Sequence, residues 1–227
     1  MGGKQGPPGR TEELKLFVGV CNSQTTLSSA FFWSWEGIKK TYPYQIKRFD
    51  DDDTIIRNNQ MIRDFLKSDC DVMVKMDIDQ VYPKNYFSEM VPLVEKYKLA
   101  GPLIYNKWRK NNYSPLLAME NTSPILRVIR NWEPLCDEKG LLKIPYAHTN
   151  LFYAREVLEN VDPPWYRLIH GEDGCSQVIN RDYTFLEKLV SLGYETVINT
   201  NVEVGHLVEE EVDSITHMKW VGPVGRG

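Results

Sequence analysis

Two carboxylates stand two residues apart in Asp77-Ile78-Asp79, directly after the apolar stretch Val72-Met73-Val74-Lys75-Met76. If that stretch is a buried strand, residues two apart point to the same side. Both acids then converge at the carboxyl edge of a sheet, where open α/β sheets bind ligands. Acids that close repel each other unless a cation sits between them. A hard divalent ion such as Mn2+ or Mg2+ does this, taking few carboxylates and several substrate phosphate oxygens. The same spacing is common in solvated turns, so the apolar run before it is what gives it weight.

The acids need a scaffold, and the chain alternates the patterns that build one. Residues 16–20 (Leu-Phe-Val-Gly-Val) stop at Cys21-Asn22-Ser23, as a buried strand entering a turn does. A helix is expected over 27–40, with Ser23 or Thr25 near its start, and a strand over 46–49 ended by Asp50-Asp51-Asp52-Asp53. Asp53 or Thr54 would cap the next helix, in which Ile55, Ile62, Phe65 and Leu66 fall near one face. After the strand over 72–76 come a helix with Met90, Val94 and Tyr97 and a strand over 99–104. This β-α-β-α-β order implies an α/β domain with a mostly parallel central sheet flanked by helices. Residues 105–141, rich in Asn, Pro and aromatic side chains, read as an irregular lobe. A strand over 151–154, helices over 155–159 and 183–192 (stopped by Gly193), and short strands over 197–199 and 202–204 complete the pattern.

Composition narrows the class. With 227 residues, 42% hydrophobic and 26% charged, the chain can bury a large core and is no disordered polymer. The net charge of −4 speaks against a partner bound mainly through neutralised phosphates. The four cysteines form no CxxC pair, which disfavours thiolate zinc and fits a reducing cytoplasm. No apolar run is long enough for a membrane span. Residues 1–12 are expected to be a flexible leader rather than a secretory signal, 13–210 one domain, and 211–227 a C-terminal tail.

Four segments, in this order and spacing, resemble the family-2-like glycosyltransferases of the GT-A fold. They are Leu16-Phe-Val-Gly-Val-Cys-Asn-Ser, the pair Arg57-Asn58, the run from Val72 to Asp79, and Arg181-Asp182-Tyr-Thr-Phe-Leu-Glu-Lys-Leu-Val-Ser-Leu-Gly-Tyr. A strand pair ending in Gly205-His206 follows. The resemblance implies a single Rossmann-like GT-A domain with a small antiparallel element near the C-terminus. It also implies transfer of a sugar from a nucleotide-diphosphate donor to an acceptor hydroxyl of a glycan, a protein or a modified DNA base. Val20, Asn22, Ser23, Asp50, Arg57, Asn58, Asp77, Ile78 and Asp79 would line the donor. Asp77, Asp79 and His206 would hold Mn2+ or Mg2+.

The base is left open. Aligned on Phe185 and Gly193-Tyr194, the Asp that deprotonates the acceptor is Asp182, yet Arg181 replaces the Glu expected before it. A true acidic pair, Glu172-Asp173, lies upstream between glycines. Asp182 is favoured for its place at a helix start; a helix-capping role is the plain alternative for either Asp. Trp108, His148 and Trp165 would lie on the acceptor side, although aromatic side chains equally anchor loops and cores. Two other readings compete. A nucleotidyltransferase would want a Gly-rich loop where Val20-Cys21-Asn22-Ser23-Gln24 stands. A non-catalytic carbohydrate- or nucleic-acid-binding module would not need Asp77, Asp79 and His206 together.

Overall fold

The structure is a computed structural model describing residues 13–22, 27–105, 115–122, 125–129, 131–147, 150–170, 177–179, 181–212 and 215–221. Its centre is a parallel trio. β1 (Leu16–Cys21) pairs in parallel with β2 (Tyr44–Phe49) on one side and with β3 (Val72–Asp77) on the other. The crossovers are α1 (Ser29–Gly37) and α2 (Thr54–Lys67). Beyond β3 come β4 (Gln80–Val81), α3 (Tyr86–Tyr97) and β5 (Leu99–Ile104).

Strand parity sorts the core into two layers. Leu16, Val18 and Val20 of β1 and Val72, Val74 and Met76 of β3 meet Phe31 of α1 and Tyr86, Phe87, Met90 and Val94 of α3. On the other face, Phe17 and Met73 meet Met61, Ile62 and Phe65 of α2. That face also receives α4 (Arg155–Glu159) and α5 (Arg181–Ser191) through Val157, Leu158, Phe185, Leu186 and Leu189. Lys75 and Asp77 share the parity of Met73, so they point to the α2 and α5 layer.

The lobe expected over 105–141 contains two strands, β6 (Leu117–Thr122) and β7 (Ile125–Val128), and a 3-10 turn at Glu133–Leu135, and β8 (Leu141–Ile144) and β9 (Tyr146–Ala147) follow at its end. Chain emerging from it enters the sheet in reverse as β10 (Phe152–Ala154), antiparallel to both β3 and β5. A short hairpin, β11 (Ile169–His170) with β12 (Gln177–Ile179), precedes α5.

The two short strands expected over 197–204 are parts of one, β13 (Thr196–Val212). It runs parallel to β5, with an irregularity between Asn199 and Glu203, then turns antiparallel partners onto β4 and onto β14 (Ile215–Val221). The main order is β14-β13-β5-β10-β3-β1-β2.

Local chemistry explains the helix starts. Asp53 accepts from the backbone N–H groups of Ile55 (2.7 Å) and Ile56 (3.4 Å), which fixes the N-terminus of α2. The helix expected over 27–40 is shorter, Ser29–Gly37, and starts where the Ser28 hydroxyl accepts from the N–H of Phe31; Ser23 and Thr25 lie outside the described residues.

Candidate functional site

The carboxyl edge of β1 and β3 gathers the polar side chains. Cys21 stands beside Asp77 in the sheet. Asn22 follows, fully buried, its backbone N–H donating to the carbonyl of Phe49. From α2, Arg57 and Asn58 reach the same place and are both buried. The guanidinium of Arg57 donates to the Asp51 carbonyl (2.9 Å) and the Thr54 hydroxyl (3.2 Å), while Asn58 Oδ1 accepts from the Cys21 thiol (3.6 Å). Asn58 Nδ2, buried, has no hydrogen-bond partner among the described residues. A buried amide left that way is costly unless something accepts from it.

The strand ends at Asp77, and Ile78 and Asp79 form a turn, so the rule of alternate residues stops one residue too early and the two acids take different partners. Asp77 is held from inside the protein: Lys75 Nζ lies 3.2 Å from its Oδ2. The Asn150 amide nitrogen also donates to Oδ2 (2.8 Å), while its oxygen accepts from the Tyr82 hydroxyl (2.7 Å). That hydroxyl in turn accepts from the Asp77 backbone N–H (2.8 Å). Burial pulls the Lys75 ammonium toward neutrality, but the charges of Asp77, Cys21 and Asp182 outweigh it and raise its pKa above the ordinary lysine value. The Cys21 thiol is pushed up to about 12, chiefly by burial.

Asp79 faces His206. β13 pairs with β4 so that His206 stands opposite Gln80, and the Leu207 N–H donates to the Asp79 carbonyl (2.8 Å). His206 Nδ1 lies 2.9 Å from the carbonyl of Tyr105. A carbonyl can only accept, so Nδ1 carries a proton, and Nε2 holds a lone pair whenever the ring carries no second one. That atom is 3.6 Å from Asp79 Oδ2. Two acceptors face each other across a gap that a second ring proton or a cation would fill. A ring fixed through a carbonyl at one nitrogen is how metal-binding histidines are commonly oriented. The pair therefore fits a divalent ion as one oxygen and one nitrogen donor. Among the described residues no set of three or more His, Cys, Asp or Glu side chains is placed to share a metal.

The remaining expected residues divide. Val20 and Ile78 turn their side chains into the core under α1 and α3, so only their backbone faces the edge. Asp50 is exposed and 3.5 Å from Arg48. Asp182, in the first turn of α5, lies close enough for its charge to act on Lys75, Tyr153, Tyr166 and Tyr183. Trp165 is buried, its indole N–H donating to the Val161 carbonyl (2.9 Å) and its backbone to Asn59, which places it in a loop anchored on α2. Ser23, Trp108, His148, Glu172 and Asp173 lie outside the described residues. Lys75, Tyr82 and Asn150 were not anticipated as parts of the site. The one signal was a lysine inside an apolar run two residues before an acid.

No family model and no curated protein matches the sequence. Among the solved structures that share its architecture are two of note. A197 from STIV superposes with a TM-score of 0.58 at 13% identity, covering 91% of this chain and 94% of that one. GalNAc-T7, solved with UDP, GalNAc and Mn2+, superposes with a TM-score of 0.51 at 12% identity over 86% of this chain. The fold is GT-A-like. At these identities the likeness is one of architecture, and the chain covers 44% of the GalNAc-T7 chain. In the GT-A-like sheet, Asp77 ends β3 and Asp79 lies in the turn after it, and β13 brings His206 across to Asp79.

Proposed function

We propose that this chain is a glycosyltransferase that takes a sugar from a nucleoside diphosphate donor with the help of Mn2+ or Mg2+. The observation that carries the reading is the Asp79–His206 pair, two acceptor atoms 3.6 Å apart at the carboxyl edge of a GT-A-like sheet. A divalent cation there would stabilise the charge that develops on the leaving diphosphate. Asp79 and His206 would hold it, with its other positions open to water and phosphate oxygens. Asn58 Nδ2 and Arg57 supply N–H donors beside Cys21 for the donor's nucleoside or phosphates. Asp77, braced by Lys75 and Asn150, forms the floor. Asp182 would take the proton from the acceptor hydroxyl at its carboxylate; Asp173 is the other candidate for that step.

The test is calorimetric titration of the protein with UDP, GDP, ADP, CDP and TDP, with and without Mn2+. UDP leads because GalNAc-T7 was solved with it. One nucleotide should bind, and only with the metal. If none binds under either condition, the donor site is refuted and a non-catalytic binding module becomes the better reading.

A further inference from the structure

The surface built by α1 and the outer strand β2 is unlike the rest of the molecule. β2 ends the sheet and pairs only with β1 among the described strands. On α1, Phe32 and Trp33 stand outward, Trp33 70% exposed, their rings 5.2 Å apart and edge-on. Leu27 just before the helix is 48% exposed. On the sheet side of α1, half-buried Trp35 meets Tyr44 of β2 with ring centroids 5.7 Å apart, and Ile46, two residues on, is exposed. Single apolar residues on a surface need no explanation, but two adjacent exposed aromatic rings in mutual contact, with further exposed apolar side chains on the neighbouring strand, mark a contact.

Its charge is the second observation. The end of α1 carries Lys39 and Lys40, and the Lys39 N–H donates to the carbonyl of exposed Lys84 (2.8 Å). Lys40 lies over the Trp35 ring at 4.7 Å and donates to the Trp35 carbonyl. Arg48 continues the row of Tyr44 and Ile46 on β2, where it meets Asp50. Glu36 is the acid that α1 itself contributes. Against a chain of net charge −4, this is a local positive margin around an aromatic centre.

We propose that the α1–β2 face docks on an anionic lipid surface, with Phe32 and Trp33 entering the headgroup boundary and Lys39, Lys40 and Lys84 meeting the lipid charge. Trp, Tyr and Phe beside Lys and Arg is the composition of interfacial membrane contacts. Lysine is depleted from protein–protein interfaces, which counts against a second copy as the occupant. Trp33 projects from a helix instead of lining a groove, which suits a fluid partner better than a shaped one. No helix among the described residues is long and apolar enough to cross a membrane, so the contact is with the surface. Phe31, next to Phe32, packs edge-on against Tyr82 at 6.0 Å, and Tyr82 holds the Asp77 backbone, so the patch adjoins the candidate site. The proposal does not depend on the reaction assigned to that site.

The experiment is flotation of the full chain with phosphatidylcholine vesicles, with and without about a third phosphatidylglycerol. The chain should float with the anionic vesicles only and come off as salt is raised. Phe32→Ser with Trp33→Ser, and separately Lys39→Glu with Lys84→Glu, should each lower binding by roughly tenfold or more, with unchanged thermal melts. No flotation of the wild type overturns the proposal, as does flotation that survives both double variants. A wild-type dimer by light scattering that Trp33→Ser dissolves would also overturn it and give the patch to a second copy.

Discussion

Lys75 is a cation placed inside a sheet, and its effects can be read at the level of single residues. Removing one partner of a buried pair leaves the other charge uncompensated, so Lys75→Met should destabilise the fold by about 3 kcal/mol in urea unfolding. Asp77→Asn should cost less in the Lys75→Met background than in the wild type; equal costs would mean that the 3.2 Å contact contributes no coupling. Cys21 gives the pH dependence. Its pKa is raised from 9.0 to about 12, so between those values the unfolded chain has lost a proton that the folded chain keeps. Stability from this group is complete below pH 9 and falls as pH rises toward 12. The thiolate is the reactive form, so at pH 8 Cys21 should resist alkylation in the native protein and label once it is denatured, as peptide mass spectrometry would read. The sequence shows Lys75 and Asp77 in their places but not their bond. Parity puts them on one face, and only the turn at Ile78 turns Asp79 toward a different partner.

At the scale of elements, β1 approaches α2 as closely as it does because residue 19 has no side chain. A Cβ there would meet Met61 Cγ at 2.7 Å and Cε at 2.9 Å. Alanine is the better strand former by about 0.5–1 kcal/mol, but overpacking costs about 1–3 kcal/mol, so the clash decides the sign. Gly19→Ala should therefore lower the urea midpoint, and combining it with Met61→Ala should cost less than the two separate losses summed. Purely additive losses would show that α2 simply moves away. Elements with strong local signals were legible: β3 and β5 from their apolar runs, α2 from Asp53 and its apolar face, and the end of α5 from Gly193 at φ +84°. The strands of the middle lobe were not. They are short, and their register is set by partners far along the chain, as where β8 pairs with β13. The antiparallel entry of β10 between β3 and β5 is likewise a tertiary fact with no local mark.

At the scale of the whole molecule, the candidate site exists only when the chain is folded. Asn22, Arg57, Asn58, Asp79, Asp182 and His206 come from the end of β1, α2, the turn after β3, α5 and β13, segments far apart in the chain. The order of the segments was visible in the sequence, whereas the pairing of β4 with β13 that sets His206 against Asp79 was not. A ligand that binds this assembly and not the unfolded chain stabilises by about 2.7 kcal/mol at a hundredfold excess over its Kd. For a domain of this size that is roughly 5–10 °C in Tm. The nucleotide found by titration, with Mn2+, should raise the wild-type melting temperature by that amount. Chelating the metal or Asp79→Asn should abolish the rise, because the metal or its anionic carboxylate ligand is gone while the fold remains. Asp182→Asn should keep the full rise and cut sugar transfer by about 10²-fold or more, since a base acts on the acceptor and not on donor binding. If Asp182→Asn also loses the thermal shift, α5 belongs to the donor pocket, and the proton must go to Asp173 or to the donor's own phosphate.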